Sequence, residues 1–125
     1  MERGEEREQA RFIKWTHRPD VRELAPALRW MFHTPNGGKR DAITGGQMRA
    51  LGVKPGVPDL LMPVHSGPDT GLALEFKSAT GTTTDTQDEW LAHLKDEDWL
   101  VLVVRSADEA RAAVMHYLDV DLPPL

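Results

Sequence analysis

The sequence predicts an α/β protein, and two observations carry that expectation. Residues 56 to 78, "GVPDLLMPVHSGPDTGLALEFKS", hold two apolar runs of period-two alternation around a turn rich in Gly and Pro, the pattern of an antiparallel hairpin. On either side of the hairpin lie segments of helical period that open on capping residues or stop at glycine. With 125 residues and 40% hydrophobic content, the chain is expected to form one domain over 1–125 with a sizeable core.

The elements follow one another closely. A first helix is expected from Glu5 to Thr16, with Gln9, Phe12 and Ile13 on one face, ending before "HRPD". A short helix should begin near Asp20 or Val21, with Pro26 limiting it. "ALRWMFH" then reads as a strand that stops at the turn "TPNGGKR", and "AITGGQMRALG" as a helix terminated by Gly52. After the hairpin, "TDTQ" at Thr84 to Gln87 has the form of a capping box, opening a helix with the apolar stripe Trp90, Leu91 and Leu94. "SADE" at Ser106 to Glu109 has the same form and opens a last helix that packs through Ala110, Val114, Tyr117 and Leu118. The tryptophans are expected in the core rather than as stacking surfaces.

Spacing within the hairpin puts charges in an unexpected place. With the turn centred on Gly67, Val64 faces Thr70, Met62 faces Leu72 and Asp59 faces Glu75. Alternation then sets Asp59, Leu61, Ala73, Glu75 and Lys77 on one face and Leu60, Met62, Val64, Leu72, Leu74 and Phe76 on the other. The second face is apolar and must be core. On the first, two carboxylates about 5 Å apart repel by roughly 3 kcal/mol at an effective dielectric near 20. Lys77 as a plain salt bridge is one way to offset that repulsion. A divalent cation between Asp59 and Glu75 is another, with Lys77 left to neutralise a reacting oxyanion.

Composition limits the chemistry further. The chain has no cysteine, which excludes disulfides and thiolate metal sites, and no two histidines have the i, i+4 spacing of a helical zinc site. No apolar run approaches the ~20 residues needed to span a bilayer, so no membrane partner and a cytoplasmic location are expected. The formal net charge is -5 but uneven. Between Arg29 and Lys54 the chain carries Arg29, Lys39, Arg40, Arg49 and Lys54 against Asp41 alone, whereas Asp85 to Asp98 carries Lys95 against Asp85, Asp88, Glu89, Asp96, Glu97 and Asp98. The basic stretch, with Asn36, Lys39, Arg40, Arg49 and Lys54, is the expected surface for nucleic-acid phosphate, and the acidic stretch is expected to turn away from it.

"GVPDLLM" followed by "LALEFKS" resembles the PD-(D/E)xK nuclease signature, with Pro58 and Asp59 as its first element and Glu75-Phe76-Lys77 as its second. The wider stretches "HTPNGGKR", "MRALGVKPGVPDLLMPV", "GLALEFKSATGTTTDTQDEWLAHL" and "SADEARAAVMHYL" look like the stand-alone VRR-NUC domain of bacteria and phages, over most of the chain from Glu5 to Leu118. That resemblance implies a restriction-endonuclease-like αβββαβ core, a central mixed sheet flanked by helices. It also implies a Mg²⁺- or Mn²⁺-dependent endonuclease hydrolysing DNA phosphodiester bonds in a bacterial cell or phage-infected host, and a homodimer acting on branched DNA such as Holliday junctions.

The family pattern adds a glutamate on an early helix and a glutamine after the lysine strand. Glu2, Glu5, Glu6 and Glu8 compete for the first. Helical phase favours Glu5, in line with Gln9 and Phe12, and Glu6 stays a near rival. Gln87 takes the second, although the capping box accounts for it equally well. The resulting expectation is a metal held by Asp59, Glu75, the carbonyl of Phe76 and Glu5, with Asp59, Glu75, Lys77 and Gln87 as the catalytic set.

Overall fold

The structure is a computed structural model, and it describes residues 4–35 and 42–125. Its elements are α1 (Gly4–Thr16), α2 (Pro19–Leu24), a 3-10 turn (Pro26–Trp30), β1 (Phe32–His33), α3 (Ala42–Ala50), β2 (Leu60–Met62), β3 (Gly71–Phe76), α4 (Asp85–Asp96), β4 (Trp99–Val104) and α5 (Ala107–Leu118). The strands form one mixed sheet in the order β1-β2-β3-β4, antiparallel across the first two pairs and parallel between β3 and β4. Helix α4 is the crossover that a parallel pair requires. The αβββαβ order and the flanked mixed sheet are those expected.

The core lies on one face of the sheet. Leu60, Met62, Leu72, Leu74 and Phe76 meet Phe12 and Trp15 of α1 and Ala107, Ala110, Ala113, Val114 and Tyr117 of α5. Phe12 bridges the layers, with its ring 5.7 Å from Trp15 and 6.1 Å from Phe76. Alanines on α5 let its backbone come close to α1, and Tyr117 extends the contact by donating its hydroxyl to the Val64 carbonyl at 2.5 Å. Helix α4 packs on β4 and covers the opposite face, where Gln87 reaches Glu75.

The hairpin keeps the expected ladder register, Leu60 with Leu74, Leu61 with Ala73 and Met62 with Leu72, but its tip differs. Ser66 and Asp69 exchange two backbone bonds of 2.9 Å, so the turn centres between Gly67 and Pro68 and not on Gly67. Gly67, at φ +55°, and Pro68 occupy the two turn positions because one tolerates positive φ and the other has φ preset. Pro63, Val64 and His65 consequently face only Thr70 and Gly71. An extra residue in the first arm absorbs the offset before the ladder begins.

The segment "ALRWMFH" departs from its expectation. Only Phe32 and His33 are strand, and Pro26–Trp30 forms a 3-10 turn. Pro26 at the first position presets the tight turn, and local bonds from Leu28 N–H to Ala25 and from Met31 N–H to Leu28 hold it while Leu28 enters the core. Helix α3 ends as expected at Gly52, whose φ of +101° completes a Schellman arrangement with bonds from Gly52 N–H to Arg49 and from Val53 N–H to Met48. No described helix is long and apolar enough to cross a membrane.

Candidate active site

The ends of β2 and β3 bring two acids together. Asp59 directly precedes β2, and its Oδ2 accepts from the Phe76 N–H at 2.7 Å, which ties it to the peptide that follows Glu75. Three donors fix its backbone. Thr34 N–H and His33 Nδ1 each lie 2.9 Å from the Asp59 carbonyl oxygen, the imidazole donating as Nδ1–H, and the Thr34 hydroxyl donates to the Pro58 carbonyl.

Glu75 is 2% exposed. Its Oε2 accepts from Gln87 Nε2 at 3.0 Å and lies 3.7 Å from Lys77 Nζ. Among the described residues its Oε1 has no well-aligned hydrogen-bond partner, although the Asp59 side chain lies close enough to share a proton with Glu75. A buried carboxylate oxygen without a well-aligned partner is costly. Burial first, and the neighbouring Asp59 charge second, push the Glu75 carboxyl up to about 8. Burial also raises Asp59, against the opposing bond from Phe76. The Lys77 ion pair exists, but it acts on Oε2 alone. A plain salt bridge therefore accounts for one oxygen of Glu75, and the other is left to whatever proton or cation the two acids share.

Gln87 has both of its expected positions at once. Its Oε1 accepts from Thr84 N–H at 2.9 Å, closing the capping box of α4, while its Nε2 donates to Glu75. A primary amide has an acceptor and a donor to divide between the two tasks. The loop before Asp59 can lie close to α4 because residue 56 is glycine: φ is +86°, and a Cβ there would fall 2.6 Å from the Thr86 side chain.

Glu5 reaches the site from α1, its Oε2 accepting from Ser78 N–H at 3.0 Å immediately beyond Lys77. Glu8 instead accepts from Ala107 N–H at 2.8 Å, completing the start of α5. There Ser106 Oγ accepts from Glu109 N–H as expected, but the Glu109 carboxylate takes Arg105 N–H, one residue short of a reciprocal box. Arg49 and Lys54 are exposed, whereas Asn36, Lys39 and Arg40 lie outside the described residues. The acidic segment does not turn wholly away from the basic one, since Thr86 in the first turn of α4 meets the loop at Gly56 just after Lys54.

Several neighbours of the site were not expected. His33 and Gln9, 3.1 Å apart, join it through the short pairing of β1 with β2. Arg105 secures the loop after Lys77, donating from Nη1 to Ser78 at 2.6 Å and to Gly81 at 2.7 Å. Neither has a local sequence signal, because each partner is more than twenty residues away. The tryptophans also correct an expectation: only Trp15 is core, Trp90 and Trp99 are half-buried, and Trp30 is 56% exposed because the 3-10 turn directs Leu28 inward instead.

The donor set suits a hard cation in a specific way. Asp59, Glu75 and the Phe76 carbonyl offer oxygen only, and among the described residues no three His, Asp or Glu side chains converge to hold an ion by themselves. Mg²⁺ is commonly held by one or two carboxylates, with water and substrate phosphate completing its shell, so the two acids fit it without a full protein cage.

The comparisons with known proteins agree with this architecture. A model of the VRR-NUC domain matches residues 3–108. A solved structure described as a VRR_NUC domain protein superposes with a TM-score of 0.76 at 22% identity, covering 96% of this chain and 92% of that one. Among curated protein sequences there is no match. The chain belongs to the VRR-NUC domain family, a membership that implies a nuclease.

Proposed function

We propose that the protein is a metal-dependent endodeoxyribonuclease that works as a homodimer on branched DNA such as four-way junctions. The observation that carries the metal reading is Glu75 Oε1, a buried acceptor beside a second carboxylate with no well-aligned partner among the described residues. Asp59, Glu75 and the Phe76 carbonyl would hold Mg²⁺ or Mn²⁺. When bound, the ion supplies positive charge at the scissile phosphate and acidifies the attacking water.

The remaining work falls to the chain. Gln87 and Lys77 both engage Glu75 Oε2, which leaves Oε1 as the open oxygen. Lys77, still partly accessible, carries a cation to the place where charge develops on the phosphate oxygens. Glu5, by accepting from Ser78, and Arg105, by holding Ser78 and Gly81, keep the segment after Lys77 from drifting. Arg49 and Lys54, with Asn36, Lys39 and Arg40, would hold the DNA backbone, which favours reading shape over base sequence. The dimer and the junction preference rest on the family resemblance and on symmetry: one chain has one such site, and paired cuts in two strands need two sites related by a two-fold axis.

Lys77→Ala tests the chemistry. Cleavage should fall a hundred- to a thousandfold, the typical effect of removing one electrostatic donor, while DNA affinity stays close to wild type. Retention of more than about a tenth of the activity would end the assignment. Light scattering and cleavage of a four-way junction against a linear duplex of the same sequence test the rest. A monomer at micromolar concentration, or equal rates on the two substrates, would leave a general nuclease.

A further inference from the structure

Two aromatic side chains stand exposed on or next to strand β1. Trp30 is 56% and Phe32 49% exposed, although both belong to residue types that usually bury most of their area. Met31 between them is extended, at φ −77° and ψ 135°, and packs against the core. Phe32 therefore projects from the opposite side of the chain to Met31, and Trp30, the last residue of the 3-10 turn two positions earlier, is exposed as well.

The position of Phe32 is set by the sheet. Phe32 pairs with Leu61, two residues along from Asp59, and so shares the sheet face that carries Asp59 and Glu75. Diagonal neighbours in an antiparallel pair lie about 7–8 Å apart. Stacked nucleotides rise about 3.4 Å along one strand, so Phe32 stands about two nucleotides from a phosphate at Asp59. The Arg29 guanidinium lies over the Trp30 ring, 4.8 Å from its centroid, and adds a fixed positive charge to the same surface.

We propose that Trp30 and Phe32, with Arg29, form a stacking platform for unpaired nucleobases of the strand whose backbone reaches Asp59 and Glu75. This rests on the nuclease reading above but not on its four-way junction: the substrate would have unpaired bases within about two nucleotides of the scissile phosphate, as a flap or an opened junction centre does. Rings for base faces and a cation for phosphate are the two components that single-stranded nucleic acid sites combine. A second copy of the chain is a poorer occupant, because an isologous contact centred here would set Arg29 against its own symmetry mate.

Fluorescence anisotropy without metal provides the test, using a dT oligomer, a duplex with a short single-stranded flap and a blunt duplex. Trp30→Ala/Phe32→Ala should weaken binding of the first two roughly tenfold or more and change binding of the blunt duplex less than twofold. Trp30→Phe and Phe32→Tyr should restore most of the loss, and wild-type tryptophan fluorescence should be quenched by dT in a way that Trp30→Leu removes. Equal losses on all three DNAs, or no loss on any, would overturn the platform. So would conversion of a dimer to a monomer by the double substitution, which would make the face a self-association surface. Because binding is read without metal or cleavage, a failure of the platform is distinct from a failure of the nuclease assignment, which Lys77→Ala reports.

Discussion

Leu74 and Glu75 are adjacent in β3 and almost equally sealed from solvent, at 0% and 2% exposure. Leu74 faces the core, where losing water contributes on the order of 2 kcal/mol to folding. Glu75 faces α4, where the same loss of water leaves an acid that holds its proton up to about 8 and an oxygen that has no well-aligned partner among the described residues. Burial thus means opposite things on the two faces of one strand. Where a fold buries a group that it does not satisfy, the missing partner points toward a ligand.

Substitutions on the two faces should behave in opposite ways. The largest effect is expected from Leu74→Ala, which should lower stability by about 2–5 kcal/mol in urea unfolding, as a large-to-small change in a packed core does. A loss under about 1 kcal/mol would mean that this face is not the core.

Glu75→Gln should do the reverse. Folding raises the Glu75 carboxyl from 4.5 to about 8, so in that interval the folded protein holds a proton that the unfolded chain has released. Metal-free stability should therefore decline as pH rises from about 4.5 to about 8, by up to about 1.4 kcal/mol per pH unit, and Asp59, also raised, adds the same sign. Glu75→Gln should flatten that decline in melting temperatures taken across the range, leaving the variant more stable than wild type at pH 8. It should also abolish the stabilisation that Mn²⁺ gives the wild type, about 2.7 kcal/mol at a hundredfold excess over Kd. A pH profile as steep as wild type, or an unchanged response to Mn²⁺, would show that the acid serves the fold alone.

The smallest effects compare the helix starts. Ser106→Ala should cost about 1 kcal/mol, the ordinary value of an N-cap, and Gln87→Ala, which removes only the reciprocal half of the α4 box, less, but only Gln87→Ala should slow cleavage. Gln87→Glu separates the two tasks, since it keeps an acceptor for Thr84 N–H and removes the donor to Glu75. Cleavage by this variant at the wild-type rate would reduce Gln87 to a cap.

Much of this arrangement is legible in the sequence. The ladder register expected from a turn at Gly67 is kept although the tip itself is displaced, because an extra residue in the first arm absorbs the offset and a slip of one would carry Leu60, Leu72 and Leu74 out of the core. Helical phase favours Glu5 as a metal ligand, whereas its carboxylate accepts from Ser78 N–H and, among the described residues, does not converge with Asp59 and Glu75 on a three-acid site. The strand expected over "ALRWMFH" was misread because Pro26 and the burial of Leu28 outweigh β-propensity there. The hairpin tip was misplaced because a bulge can shift a turn without disturbing the ladder beyond it.

What the sequence determined by itself is the local and periodic part: the alternating hairpin, the caps of α4 and α5, the Gly52 stop, and the placement of Asp59, Glu75 and Lys77 on one face. Those features depend on neighbours within a few residues, where spacing dictates direction. Tertiary structure decided which atoms remain unsatisfied. It brought His33 to the Asp59 carbonyl and Arg105 to the loop after Lys77, divided Gln87 between Thr84 and Glu75, and left Trp30 and Phe32 in solvent. Hydrogen-bond satisfaction and exposure depend on every element that packs around a group, and those elements lie far apart in the chain, beyond the reach of periodicity.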